Sequence, residues 1–167
     1  MELIKVCHSN SLIEEKNLQI LSENLYETVK DFKYKFNFAT LGCLNTGKTC
    51  ILNQHFNKTF CQTSPTISVE FLSKAYNFRN MNILLTATDT AGSERYKSVT
   101  SKYIQNKHVL LFVFDLTDQQ SFLNMKSWID WSDQFSRENV IKVLVGNKKD
   151  LQKQRKVLKE DAVDLAT

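Results

Sequence analysis

This sequence has few of the residues that build tight loops, cross-links and membrane spans. Its 167 residues include four glycines, one proline and four cysteines. The cysteines form no C-x-x-C pair, so neither a zinc site nor a disulfide framework is indicated. The longest apolar run, Val109 to Phe114, has six residues, against about 20 needed to cross a bilayer. No transmembrane segment is therefore expected.

Targeting signals and strong charge are also missing. The N-terminus lacks the basic and apolar regions of a secretory signal, and its second residue is Glu2 rather than the glycine that myristoylation requires. We therefore expect a cytoplasmic protein. The formal net charge is only +4, and the densest basic stretch, Lys148 to Lys159, contains no aromatic residue. Nucleic-acid binding is not expected from this pattern.

Residues 1–33 have the pattern of a helix. Ser11 and Glu14 have the spacing of a capping box. The apolar residues that follow recur at helical steps and are Leu18, Leu21, Leu25, Val29 and Phe32. The pattern predicts an N-terminal helical extension over residues 1–33. Packing of its apolar stripe on the chain's own domain is favoured over a coiled coil with a partner.

From Tyr34 onward, strands alternate with helices. Strands are expected at 36–41, 69–78, 83–88, 109–114 and 140–145, and helices at about 49–56 and around Phe122, Met125 and Ile129. Residues 79–82 are short and polar enough for a hairpin, and the crossover before the last strand fits a parallel connection. The sequence predicts an α/β doubly wound sheet over residues 34–167, mostly parallel with one antiparallel edge pair.

A phosphate-binding loop follows the first of these strands. Residues 42–49, G-C-L-N-T-G-K-T, match G-x-x-x-x-G-K-[ST] between a strand and a helix, as that motif requires. Gly42 and Gly47 let backbone N–H groups face the phosphates, Lys48 neutralises the β and γ oxygens, and Thr49 offers its hydroxyl to Mg²⁺. Further nucleotide contacts are expected at Asn45, Thr46 and Cys50. The sheet is therefore expected to be of P-loop NTPase type.

Two further motifs stand at the C-terminal ends of strands, where open α/β sheets bind ligands. Asp89-Thr90-Ala91-Gly92 follows the strand 83–88, and its aspartate can hold Mg²⁺ through water. In Asn147-Lys148-Lys149-Asp150, the last carboxylate can accept from the two donors on a guanine edge, which adenine lacks. Thr66, which follows the sole proline, is expected in a loop, and its hydroxyl can reach the same Mg²⁺.

Together these residues resemble a Ras-superfamily small GTPase, and the Rab family most closely, from about Lys35 to the end. Residues 66–71 are similar to the Rab stretch after the first switch, and Glu94-Arg95-Tyr96 to its second switch. The resemblance implies that Thr66 ligates Mg²⁺ and senses the γ-phosphate, that Gly92 donates its N–H to that phosphate, and that Phe60 stacks on guanine. The implied metal ligands are Thr49, Thr66 and Asp89.

The resemblance also implies a function. It indicates a guanine-nucleotide-binding switch in membrane traffic, with GTP or GDP and Mg²⁺ as ligands and GTP hydrolysis as its reaction. Effectors, exchange factors and activating proteins are expected to bind residues 60–71 and 92–103, at the cytosolic face of endomembranes. An ATP-using P-loop kinase is disfavoured by N-K-x-D.

Several departures from the Rab pattern modify these expectations. Ser93 replaces the glutamine that orients the attacking water, and Leu44 fills space that is normally kept free, so slow hydrolysis is expected. The residues expected to act in catalysis are Lys48, Thr66, Gly92 and Ser93. Thr88 replaces a tryptophan beside Phe71 and Tyr103, which leaves an aromatic cluster incomplete.

The end of the chain is a further departure. The chain stops at Thr167, before the family's last strand and helix and without a prenylation cysteine. A domain that is incomplete at its C-terminus is therefore expected. A non-hydrolysing pseudo-GTPase that acts as a binding or scaffold module remains the alternative function, supported by Leu44, Ser93 and the missing guanine loop.

Overall fold

The computed structural model describes residues 2–4, 18–20, 31–60, 64–66, 68–92 and 97–166. The strands are β1 (Glu2–Ile4), β2 (Leu18–Ile20), β3 (Tyr34–Leu41), β4 (Glu70–Phe78), β5 (Met81–Asp89), β6 (Val109–Asp115) and β7 (Ile141–Asn147). The helices are α1 (Lys48–Phe56), α2 (Lys97–Ile104), α3 (Gln119–Leu123), α4 (Met125–Asp133) and α5 (Lys159–Ala166), with a 3₁₀ helix at Gln152–Gln154. Among these described helices, none has the length and apolar character that a membrane crossing requires.

The strands form one sheet in the order β1-β7-β6-β3-β5-β4-β2. Strands β7, β6, β3 and β5 are parallel to one another, and β4 is antiparallel to β5. The prediction of a mostly parallel doubly wound sheet with an antiparallel pair is confirmed. The antiparallel pair follows from its short connection, because Phe78 pairs with Met81 and only two residues turn the chain between them.

Helices cover both faces of the sheet. On one face, Leu52 and Phe56 of α1 pack with Ala87 and against Phe38 and Leu85. The larger core lies on the other face, where the remaining helices pack on β3, β6 and β7. Its largest fully buried side chains include Trp128, Phe112, Phe114, Met125 and Leu144. Since Phe38 and Ala39 belong to different cores, the two faces alternate along β3 as a strand requires.

The predicted N-terminal helix is wrong wherever the structure describes it. Leu18–Ile20 is a strand that pairs antiparallel with residues 76–78 of β4, and residues 31–33 are not helical. The unpaired N–H and C=O groups at the edge of β4 favour an added strand, which overrides a helical periodicity that carries little energy by itself. The rest of the predicted helix lies outside the described residues. The division into residues 1–33 and 34–167 stays a prediction.

The helix expected around Phe122, Met125 and Ile129 is present as two segments, α3 and α4, separated by Asn124. Asp118 caps α3, since its side chain accepts a 3.0 Å hydrogen bond from the N–H of Gln120. Together they form the crossover between β6 and β7. This connection leaves the carboxyl ends of the parallel strands at one edge, where the three sequence motifs lie.

Candidate functional site

The loop between β3 and α1 bends at positions that only small or special residues tolerate. Gly42 and Gly47 have φ angles of 133° and 89°, and Asn45 has a φ of 62°. A Cβ at Gly42 would collide with the carbonyl of Val113 on β6, and one at Gly47 with the side chain of Asn147. Glycine at both positions therefore lets the loop approach the neighbouring strands closely.

Lys48, the first residue of α1, points back into this loop. Its ammonium donates hydrogen bonds to the carbonyls of Gly42 and Cys43, at 3.0 and 2.7 Å. Burial lowers the pKa of Lys48 to about 8, although nearby Asp89 and Cys43 favour its charged form. A buried ammonium that bonds to neutral carbonyls gains energy when an anion approaches it.

Three oxygen-bearing side chains from different elements meet beside Lys48. The hydroxyl of Thr49 donates a 2.6 Å hydrogen bond to the carboxylate of Asp89, and it lies 2.8 Å from the hydroxyl of Thr66. Asp89 is buried, and its other carboxylate oxygen accepts from Thr40 at 3.2 Å. Two hydroxyls and a carboxylate are oxygen donors of the kind Mg²⁺ prefers. The residues predicted to hold Mg²⁺ are thus adjacent, and their donor set fits that ion.

Gly92 lies against the phosphate-binding loop. A Cβ built on it would lie 2.6 Å from the carbonyl oxygen of Cys43 and would collide with the ammonium of Lys48. Any side chain there would push into the site, so glycine is required for this close packing. Ser93, the next residue, lies outside the described residues, and its role stays a prediction.

The predicted guanine-binding residues begin at the end of β7. The side-chain amide of Asn147 donates a 2.8 Å hydrogen bond to the carbonyl of Thr46, which ties this strand to the phosphate-binding loop. Lys148, with a φ of 61°, forms a 2.7 Å ion pair with the buried carboxylate of Asp115. Burial alone would raise the pKa of Asp115, but hydrogen bonds from Lys148 and Thr117 bring that pKa below its ordinary value.

A cavity of about 420 Å³ joins these parts. Its lining includes the predicted site residues Asn45, Gly47, Lys48, Thr49, Cys50, Phe60, Thr66, Gly92 and Lys148. Leu44 also lines it and is 45% exposed. Phe60 is 81% exposed at the rim, where its ring is accessible to a flat ligand. A second cavity of about 650 Å³ lies beside α1 and is lined by Phe60, Asn147 and Asp150, of which only Phe60 also lines the first cavity.

Two positioning residues were not predicted from the sequence. Thr40 holds the carboxylate of Asp89, and Asp115 holds the ammonium of Lys148. A signal was available for Asp115, because it is a carboxylate at the C-terminal end of a strand, like Asp89. Thr40 carried no such signal, since a threonine inside a strand is an ordinary β-former.

Comparison with known proteins agrees with this geometry. Residues 37–167 match the model of the Ras family. The chain is also similar to the Ras-related protein RIC1 of Oryza sativa subsp. japonica, at 36% identity over 137 residues that cover 81% of this chain and 68% of that protein. The family match takes in every motif that lines the cavity, and on these grounds the chain belongs to the Ras family of small GTP-binding switches.

Proposed function

We propose that this protein is a Rab-type guanine-nucleotide switch that hydrolyses GTP slowly and acts in intracellular membrane traffic. The observation that carries the proposal is the contact of Thr49, Thr66 and Asp89 beside the buried ammonium of Lys48. Thr66 comes from the first switch segment, so its position can report whether a γ-phosphate is bound. Rab closeness rests on the similarity of residues 66–71 to the Rab stretch after that switch.

The chain's own residues suit phosphoryl transfer by positioning and charge. We assign donation to the β and γ oxygens to the Lys48 ammonium, and donation to the γ-phosphate to the backbone N–H of Gly92. Mg²⁺ held by Thr49, Thr66 and Asp89 would neutralise part of the negative charge on those oxygens. Guanine selection is assigned to Asp150, with Asn147 tying that segment to the loop.

Slow hydrolysis is expected because two residues, Ser93 and Leu44, are unfavourable for positioning the attacking water. A serine hydroxyl at position 93 is too short to replace the glutamine side chain that orients water in related GTPases. The Leu44 side chain lines the cavity where the water and an activating residue need space. Both features favour a GTP-bound state that lasts long.

Single-turnover hydrolysis of GTP by the purified full chain tests the proposal. The wild-type protein should carry guanine nucleotide and hydrolyse GTP slowly. Ser93→Gln should raise the rate, and adding Leu44→Gly should raise it further, because one change restores a water-orienting group and the other clears space. Ser136→Gln makes the same chemical change at a residue that lines neither cavity, and it should leave the rate unchanged.

The outcomes separate the candidate functions. Bound GTP that is not hydrolysed by wild type or by either variant would favour the pseudo-GTPase, for which the exposed Leu44 in the cavity is the supporting observation. A wild-type rate equal to that of Ser93→Gln would show that Ser93 is bypassed. ATP bound as tightly as GTP would contradict the role of Asp150.

A further inference from the structure

An exposed apolar surface lies between β4 and α2, and its residues Phe71, Val99 and Tyr103 do not line the nucleotide cavity. The rings of Phe71 and Tyr103 are in contact, with their centroids 5.8 Å apart. Val99 lies one helical turn before Tyr103, on the same side of α2. Phe71 is 58% exposed and Val99 is 48% exposed, so a partner can reach this surface directly.

A buried lysine lies at the base of this surface. Thr88 pairs with Phe71 across β4 and β5, which places both side chains on the same face of the sheet. The ammonium of Lys107 donates a 2.5 Å hydrogen bond to the Thr88 hydroxyl and lies 5.9 Å from the centre of the Phe71 ring. A small side chain at Thr88 leaves the space that the Lys107 side chain occupies, and Lys107 is only 9% exposed.

The Lys107 charge has only neutral partners among the residues that the structure describes. Several lysines of the described residues form ion pairs, among them Lys126, Lys142 and Lys148, but within those residues none is found for Lys107. Burial lowers the pKa of Lys107, as expected for a cation that has lost water without gaining a carboxylate. A carboxylate arriving from outside would supply the missing charge in a setting where water screens it little.

We propose that Phe71, Val99, Tyr103 and Lys107 form a docking surface for a protein segment that presents an apolar side chain next to an aspartate or glutamate. The apolar side chain packs on Phe71, Val99 and Tyr103, and the carboxylate accepts from the Lys107 ammonium. The commitment to an acidic partner comes from charge complementarity with Lys107. This inference rests on the proposed function, because it assigns a partner chemistry to the switch-side surface, but it does not depend on the rate of GTP hydrolysis.

A displayed library of amphipathic helical peptides, randomised on one face, tests the proposal. It is selected against full-length wild-type protein loaded with a non-hydrolysable GTP analogue, and in parallel against Lys107→Met. Peptides selected on wild type should carry an acidic residue beside an apolar anchor, and peptides selected on Lys107→Met should show no such acidic preference. For one selected peptide, Glu→Gln should weaken binding to wild type about tenfold or more and leave binding to Lys107→Met nearly unchanged.

Two controls keep the result interpretable. Phe71→Ala, at an exposed position, should weaken the selected peptide without changing guanine-nucleotide content, which locates the binding independently of Lys107. Selected peptides that lack an acidic residue, an equal Glu→Gln effect on wild type and Lys107→Met, or the absence of any peptide sensitive to Phe71→Ala would each overturn the proposal. The proposed function is tested separately: a purified chain that binds no guanine nucleotide would contradict it, whatever the peptides show.

Discussion

At the scale of single residues, the site depends on contacts between side chains that are far apart in sequence. Asp89 is 40 residues from Thr49, and their hydrogen bond is 2.6 Å long. Each residue was predicted from its own motif, but their contact follows from the parallel pairing of β3 with β5, which brings the ends of both strands together. Thr40 then fixes the orientation of the carboxylate.

Lys48→Ala is predicted to weaken binding of GTP and GDP severely. The substitution removes a buried ammonium that lies at the floor of the cavity, and loss of one partner from a buried charge contact costs about 2–5 kcal/mol, or a factor of about 30 to 5,000 in affinity. Titration with a fluorescent guanine nucleotide measures the change. Lys126→Ala, at an exposed lysine on α4, is the control, and an unchanged affinity in Lys48→Ala would contradict the assignment of the loop.

The lowered pKa of Lys48 predicts a pH dependence of stability in the nucleotide-free protein. Its pKa is about 8 in the folded protein, against an ordinary value of 10.5 for lysine, so the unfolded chain binds more protons between those pH values. The free energy of unfolding should therefore gain a contribution as pH rises from 8 towards 10.5, of at most about 3 kcal/mol. Below pH 8 Lys48 is protonated in both the folded and the unfolded chain, so the protein lacks this gain in the free energy of unfolding.

Denaturant unfolding at pH 8 and pH 10 measures this effect. Because Lys107 and Tyr76 also have shifted pKa values, the informative quantity is the difference between wild type and Lys48→Met. The wild-type free energy should rise relative to that of the variant as pH increases. A constant difference across the range would show that Lys48 is not desolvated in the folded protein.

At the scale of elements, the hairpin between β4 and β5 is the clearest case of a predicted connection with an unexpected detail. The sequence predicts a turn at residues 79–82, and in the structure the strands continue until only Arg79 and Asn80 remain between them. Both have positive φ angles, 48° and 61°, as a two-residue type I′ turn requires. Arginine is strained in that conformation, since its Cβ disfavours positive φ.

Replacement of the turn by Arg79→Asn with Asn80→Gly should stabilise the protein. Asparagine and glycine adopt positive φ at lower cost, and the expected gain is about 0.5–1 kcal/mol in the free energy of unfolding. Chemical denaturation measures it. Arg79→Ala is the control, because it removes the contact of the guanidinium with the Phe78 ring but retains the strain, and a gain of equal size there would contradict the turn argument.

At the scale of the whole molecule, the described residues of the N-terminal segment extend the sheet at both edges. Strand β1 pairs with residues 144–146 of β7, and β2 pairs with residues 76–78 of β4. An uncovered strand edge exposes unpaired N–H and C=O groups and promotes association between chains. These pairings link the segment to the stability of the GTPase fold.

Deletion of residues 1–30 should lower the denaturant midpoint and promote aggregation. It removes two three-residue strands, and each ladder hydrogen bond lost with them costs about 1 kcal/mol. Equilibrium unfolding and light scattering on the full and shortened chains test this. If the segment instead bound a partner, its deletion would leave the denaturant midpoint unchanged at low protein concentration and would abolish self-association.

The sequence by itself determined the central sheet and the phosphate-binding loop, and it named most of the residues that line the cavity. These features depend on local patterns, because a glycine-rich turn between a strand and a helix and a buried apolar run each specify structure over a few residues.

Only the tertiary structure decided the rest. The strand at Leu18–Ile20 exists because β4 offers an open edge, and Thr40, Asp115 and Lys107 acquire their roles from side chains 19 to 49 residues away. Such contacts depend on how strands are placed beside one another, which no local periodicity encodes.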